Sequence, residues 1–387
     1  MFKGNSVISL FLREARRIPS DHSLLLTLLI APLLYAFFYG SIYINKFEEE
    51  VATAIIDYDD SELTRQLIFD LNATPQIDII AVQHREEYID HLFNNGDVQV
   101  VIQFAKETEK DVKLLKGTTV LIKSNASRFL PANDVVQAAA TIFTIAGVGV
   151  RMEYYKATGH YQDVALQMAN PAEIVYKPLF NRNLAYGDFL IPGLLVLILQ
   201  QTLLIGLAEG TARERQKGTI TEWVKIGRGS FGALVGKTSF YLVLFGSYAM
   251  FFHMVNLHVL DVANQASTST LLVLFTVFLA CIIPMGIWIG LLFKKELLAM
   301  QVMAFSSYPL FLISGYSWPQ SALPGWLQVV SNLVPTTPML DAYVKASELG
   351  ASLGTILPQL MHLSILGIAF WALAYFQLEK VKKADNL

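Results

Sequence analysis

The fold class predicted from the sequence is a polytopic α-helical membrane protein: six transmembrane helices, with a mixed α/β extracytoplasmic domain inserted between the first and second spans. Three observations lead there. Only 16% of the 387 residues are charged and 53% are hydrophobic, where soluble chains carry about 25% charge. The apolar residues fall in blocks that match the roughly 20 residues a helix needs to cross a bilayer. Between the first two blocks the composition changes to that of a soluble chain, over about 140 residues, a normal size for one domain.

Residues 1–21 set Phe2, Val7, Ile8, Leu10, Phe11 and Leu12 against Lys3, Arg13, Arg16 and Arg17, the pattern of an amphipathic helix in the cytoplasmic membrane interface. The first span, 22–44, has no acidic or basic side chain besides His22. Its basic lead and apolar run imitate a secretory signal, but the run is too long and no small-residue cleavage pattern follows Gly40, so a retained anchor is expected.

Residues 45–187 form the expected extracytoplasmic α/β domain. Glu48–Glu50 and Asp57–Asp60 make it acidic, and VATAIID, QIDIIAV, VQVVIQF and TTVLIKS read as strands rich in β-branched residues. SELTRQLIFDLNA and REEYIDHLFNN have helical spacing, with caps at Ser61 and near His84. A long helix is entered through Pro131–Asp134. Its uncharged part, Val135–Val150, is short of a bilayer crossing, and as a span it would reverse the charge bias downstream. It is expected to pack on the sheet.

Residues 188–387 are expected to form a five-helix transmembrane domain. Its spans are Phe189–Ala208, Thr238–Leu260, about Thr270–Phe293, Leu297–Gly315 and about Thr355–Leu378. Pro192 and Gly193 in the first of these, and Pro284 and Gly286 in the third, are places where a helix can bend. Lys and Arg flank alternate loops, which puts both termini in the cytoplasm. The segment 316–345 carries Trp318, Pro319, Pro324, Trp326, Pro335 and Pro338. It is too broken for a span and is read as an external re-entrant gate or lid.

The cytoplasmic segment 210–236 concentrates charge in ARERQKGTITEWVKIGRG, with Arg213, Glu214, Arg215, Lys217, Glu222, Lys225 and Arg228 around an apolar side of Ile220, Trp223 and Val224. Such a short helix suits the groove of a partner or a bed of anionic headgroups. LVGKTSF, Leu234–Phe240, imitates a phosphate loop, but that loop needs a glycine where Phe231 stands. Lys237 is instead expected to anchor its span at the headgroups, and Glu209 to sit at the interface. None of the seven histidines has metal-ligand spacing, His253 and His362 are expected to hydrogen-bond between helices, and Cys281 is the sole cysteine. No catalytic residue, metal, cofactor or nucleic-acid partner is expected.

RERQKGTITEW, Arg213–Trp223, resembles the Arg-Glu-basic-x-x-Gly-Thr signature of membrane permeases in type-two ATP-binding-cassette exporters. LREARRIPSDHSLLLTLLIAPLL, IIDYDDSELTRQLI, LFNRNLAYGDFLIPGLL and ISGYSWPQSALPGWLQVVSNLVPTTPMLDAY resemble further family segments in the same order. The resemblance implies that Arg213, Glu214, Arg215, Gln216, Lys217, Gly218, Thr219, Ile220, Glu222 and Trp223 couple to a separate cytoplasmic ATPase subunit, which binds the ATP and magnesium. Thr221 departs from the pattern, since many members have an acidic residue there. Also implied are the bacterial inner membrane, a second permease subunit (the same or a related chain), surrounding lipids, and a periplasmic adaptor with an outer-membrane channel. The cargo expected is a drug-like or lipid-like amphiphile moving outward. A membrane scaffold presenting the external domain fits the composition equally but does not predict the inside motif; a secondary transporter would need intramembrane charges.

Overall fold

A computed structural model describes residues 6–44, 49–171, 177, 179, 181 and 185–385. Phe2, Lys3, Glu48 and most of the linker before residue 187 lie outside the described residues. The chain divides into two compact units, one of residues 1–44 and 178–387, the other of residues 45–177.

The first unit is helical. Helix α1 (Ser6–Ser20) buries Leu10, Glu14 and Ile18, one residue per turn. Asp21 then caps α2 (His22–Ile42), its Oδ1 accepting from the Ser23 and Leu24 amides at 3.2 and 3.4 Å. A π turn at Leu26–Ile30 precedes Pro32; proline has no N–H for the Leu28 carbonyl, and the wider turn absorbs the lost bond. The remaining elements are α8 (Tyr186–Gln216), α9 (Ile220–Ile226), α10 (Ser230–Val259), α11 (Thr268–Leu292), α12 (Glu296–Ile313), α13 (Gly325–Asn332), α14 (Thr336–Ser347) and α15 (Leu357–Asp385).

Helix α8 is the centre of this bundle: 78% of its apolar window is buried, against 17% for α12 and 22% for α2 and α15, whose apolar faces point outward. Small residues let its neighbours close on it, the means by which helices associate where lipid offers no hydrophobic drive. A Cβ on Gly206 would lie 2.4 Å from Leu28 of α2, and one on Gly290 of α11 would lie 2.7 Å from the Ala208 carbonyl oxygen. Gly286 provides close packing, since a Cβ there would meet Leu207 at 3.0 Å, and α11 is helical through both Pro284 and Gly286.

The second unit is a four-stranded mixed sheet in the order β2-β1-β3-β4, built from β1 (Val51–Asp57), β2 (Ile77–Gln83), β3 (Val100–Phe104) and β4 (Val120–Ser124). β1 runs parallel to β2 and β3, and β4 is antiparallel to β3. Helix α3 (Glu62–Asn72) follows β1 and starts at a capping box in which the Thr64 amide donates to Ser61 Oγ at 3.2 Å and the Ser61 amide to Thr64 Oγ1 at 3.0 Å, while Thr64 Oγ1 donates to Asp57 at 2.7 Å. Helix α4 (Glu86–Asn95) ends at Gly96, whose φ of 81° suits only a residue without a Cβ. β1 is apolar on both sides because α3 covers Ile55 while α4 covers Ala54 and Ile56. Helices α5 (Thr108–Lys113), α6 (Phe129–Ala157) and α7 (Gln162–Ala169) complete the unit.

Among the described residues seven helices, not six, are long and apolar enough to cross a bilayer, and the additional one is α6. Its first half lies on the sheet: Val135 and Ala139 are buried with Ile55, Ile102 and Phe104, and the Phe143 ring meets Phe104 edge-on at 5.9 Å.

Candidate functional site

The charged segment of 210–236 folds as a helical hairpin. α8 carries its helix past the apolar block to Gln216. Gly218, at φ 68°, turns the chain, α9 spans seven residues, and Arg228 and Gly229 turn it again into α10. Two glycines permit that second turn: a Cβ on Gly227 would sit 2.4 Å from the Ala233 amide nitrogen, and one on Gly232 2.2 Å from the Gly227 oxygen.

The apolar side of α9 is already occupied. Ile220, Trp223 and Val224 are buried in the core of the bundle, against α1, α10 and α15. Trp223 Nε1 donates to the Ala233 carbonyl at 3.2 Å, and Lys237 Nζ lies 4.7 Å from the indole centroid, a cation–π distance. This corrects the expectation that these three side chains face a partner. The exposed residues of the hairpin are Gln216, Lys217, Gly218, Glu222, Lys225, Arg228 and, at the start of α10, Phe231, with Thr219 half-buried.

Beneath the hairpin lies an ionic network. The Glu214 side chain, 1% exposed, receives Arg13 Nη1 at 2.9 Å, Arg17 Nη1, and Lys237 Nζ at 3.6 Å. Arg13 also meets Glu14 at 3.2 Å, and Tyr241 donates to the other Glu14 oxygen at 3.1 Å. Arg213 binds Glu209 at 2.5 Å and also pairs with Asp21 and Glu296. Arg215 Nη1 donates to the Leu291 carbonyl at 2.5 Å, at the end of α11, and Gln216 Oε1 accepts from the Glu296 amide at 3.0 Å. Burial alone would lower the pKa of Arg17, but Glu214 and Glu14 outweigh it and raise that pKa.

Lys237 is therefore not a headgroup anchor. It is 1% exposed and bonded to Thr211 Oγ1 at 3.3 Å, because α10 starts eight residues earlier than its apolar block suggests, at Ser230. The phosphate-loop imitation is a plain turn of that helix. Glu209 is likewise buried. Sequence reading missed Glu14, Asp21, Glu296 and Tyr241 as members of the network. The Leu10–Glu14–Ile18 spacing was the available signal, since it puts a carboxylate on the buried stripe of α1.

The proline-rich segment folds as a short 3-10 turn at Gln320–Ala322 followed by α13 and α14. Trp318, Pro319, Pro324 and Trp326 are exposed, whereas Pro335 and Pro338 are buried at the start of α14. The six do not meet at one point. Pro338 alone among them lines a cavity of ≈ 450 Å³ bordered by Phe189, Tyr316, Asp341, Gln359 and His362. At its edge Tyr316 meets α8 where Pro192 and Gly193 stand. Its hydroxyl accepts from the Gly193 amide at 3.1 Å and donates to the Phe189 carbonyl, two groups that would pair with each other in an unbroken helix. The Phe189 and Tyr316 rings stack at 5.1 Å. His253 Nδ1 donates to the Ala249 carbonyl at 2.8 Å, which leaves Nε2 to accept from Tyr343 of α14 at 2.5 Å. His362 Nε2 donates to the Asn332 carbonyl at 2.8 Å.

A central helix packed through glycines, outward apolar faces and charge held at helix ends define a multi-pass helical membrane protein. The particular family follows from comparison: the model for ABC-2 family transporter proteins matches residues 22–376, and the chain belongs to that family. It is 23% identical over 342 residues to the probable multidrug ABC transporter permease YbhS of Escherichia coli K12, covering 85% of each chain. It is 23% identical over 208 residues to the probable multidrug ABC transporter permease YbhR of the same organism, covering 53% of this chain and 56% of YbhR. The chain thus spans little more than half of YbhR's own length.

Proposed function

We propose that the protein is the permease subunit of an ABC exporter in the bacterial inner membrane, driven by a separate ATPase that holds the ATP and magnesium and presses on the hairpin of residues 210–236. In this reading six of the apolar helices cross the bilayer, both termini are cytoplasmic, and α6 stays with its sheet outside the membrane. A second permease subunit completes the pathway, a periplasmic adaptor and outer-membrane channel continue it, and the cargo is a drug-like or lipid-like amphiphile, as the relatives' multidrug names suggest.

One observation carries the reading: the hairpin is charged on its exposed side and bonded to the bundle on its buried side. Lys217, Glu222, Lys225 and Arg228 form the surface for the ATPase. Trp223 passes a displacement to α10, Glu214 passes it to α1, and Arg213 to the start of α2 and to α12. The supporting contrast is with a headgroup-resting loop, which has no reason to be locked from below.

The test reverses charge on the exposed side only, in K217E/K225E/R228E. Co-purification of the ATPase and stimulated ATP turnover should both fall several-fold while the permease still inserts. Wild-type levels of both would refute the coupling role.

A further inference from the structure

The α/β unit contains a cavity of ≈ 370 Å³ that ATPase coupling does not use. That is within the usual range of small-molecule pockets, about 300–1,000 Å³. Leu67 of α3, Val112 of α5, Leu115 in the following turn, and Phe143 and Val150 of α6 form apolar walls. Helix α6 supplies a continuous stripe, since Phe143, Ala146, Gly147, Val150 and Arg151 recur at helical spacing. Gly147 leaves the space open: a Cβ there would meet only Arg151 Nη2, at 4.0 Å.

Arg151 is the one ionisable residue among those lining the cavity. Its Nε donates to the Gly147 carbonyl at 3.1 Å, which lays the guanidinium across the rim. Several cations of the same unit are paired, Arg65 with Asp60, Lys110 with Glu107, Lys113 with Glu109 and Lys156 with Glu153. Among the described residues Arg151 has no carboxylate partner. At the mouth, Leu115 is 38% exposed and holds φ at 55°, a conformation that costs an ordinary residue about 1–2 kcal/mol. The turn keeps an apolar side chain at the opening instead of burying it.

We infer that this cavity binds a single-chain amphiphile with one anionic headgroup, its tail between α3 and α6 and its head on Arg151. A chain-lined space fits the tail, and an unpaired guanidinium, a fork of donors shaped for carboxylate or phosphate, fits the head. The inference goes beyond the export reading and stands without it, because binding is measured with no ATPase present.

The test uses the full chain in nanodiscs of zwitterionic phosphatidylcholine, with a palmitate analogue carrying a diazirine on its tail. After irradiation, adducts should map to peptides containing Leu67 and residues 143–150 and be competed away by palmitate. Gly147→Phe, which fills the space, should abolish them. Arg151→Gln alters an exposed side chain, so it carries the test even if the filled variant fails to fold. It should cut the preference for palmitate over hexadecanol as competitor about tenfold, the worth of one charge-assisted hydrogen bond. Stronger competition by lysophosphatidylglycerol would assign the ligand to membrane lipid, and stronger competition by palmitate to a free acid; both support the site. Adducts confined to the apolar helices of the bundle, or an unchanged acid-to-alcohol preference in Arg151→Gln, would overturn it.

Discussion

Replacing Glu214 by glutamine tests the network at its hub. The variant keeps the shape and removes the charge. Lys237, 1% exposed, then loses its ion-pair partner and keeps Thr211 Oγ1 at 3.3 Å and the Trp223 ring at 4.7 Å. Arg13 and Arg17 lose their shared carboxylate but keep Glu14 and the Gly210 carbonyl respectively, and each is about a fifth exposed, so Lys237 dominates the loss. Stranding one member of a buried pair costs about 3–5 kcal/mol, whereas replacing both with apolar groups of like volume is near neutral. For a unit of this size the single variant should lower Tm by about 6–20 °C, at roughly 2–4 °C per kcal/mol. Adding Lys237→Met should recover most of that. Cys281 provides the assay: it is the chain's single cysteine and 1% exposed, so a thiol-reactive dye reports unfolding of the bundle directly. A Glu214→Gln melt within 2 °C of wild type, on the order of half a kcal/mol, or a double variant no better than the single one, would refute the reasoning.

Two further outcomes follow from single groups. Tyr316→Phe removes the hydroxyl between Phe189 and Gly193 but keeps the stacked ring; two hydrogen bonds at about 0.5–1.5 kcal/mol each should appear as a modest fall in the same melt, and faster amide exchange at Gly193 should accompany it, unchanged exchange excluding the latch. Asp59 accepts from the Glu109 amide at 3.0 Å. Burial would raise its pKa, but the backbone amides of Glu109, Glu107 and Thr108 and the Ser61 hydroxyl prevail, holding it below the ordinary value. A lowered folded-state pKa contributes stability above the unfolded value, about 3.9, and loses it as the pH falls through the folded value. The excess exchange protection of the Glu109 segment in wild type over Asp59→Asn should therefore be full at neutral pH and shrink on acidification, and a gap that widens toward acid would contradict the assignment.

How far the sequence carries the fold depends on which periodicity governs each element. VATAIID and VQVVIQF became β1 and β3 because β-branched runs bounded by turns have few alternatives. The apolar blocks became helices because block length against bilayer thickness is a one-dimensional comparison. Helix α6 defeats that comparison: composition cannot separate a sheet-packed helix from a lipid-facing one when Val135 and Ala139 suit both. At the candidate site the hairpin was visible as clustered charge, but its inner and outer sides were not. Trp223 reads as an offered anchor until Ala233 is found against its indole nitrogen, and Lys237 reads as a headgroup anchor until α10 is seen to begin at Ser230. Both errors have one source, that a hydropathy block marks where the bilayer core lies and says nothing of how far the helix runs beyond it.

The two ends of α8 are held by bonds of unequal strength, which under the proposed coupling would decide which end gives way. Gly193 and Arg213 lie about 30 Å apart along the helix, at 1.5 Å per residue. At the Arg213 end the helix is tied to α1, α2, α10, α11 and α12 through one buried and several partly buried ion pairs and a bond to a helix-end carbonyl, and breaking the buried Lys237–Glu214 pair alone costs about 3–5 kcal/mol. At the Gly193 end a single tyrosine hydroxyl bridges the Gly193 amide and the Phe189 carbonyl, two hydrogen bonds at about 0.5–1.5 kcal/mol each. Under the proposed coupling, a force applied at the hairpin would move its surroundings as one body and be relieved at Tyr316, beside the cavity bordered by Asp341 and His362. Stiffness at the charged end and compliance at the tyrosine end come from the same helix, set by what each end has been given to bond with.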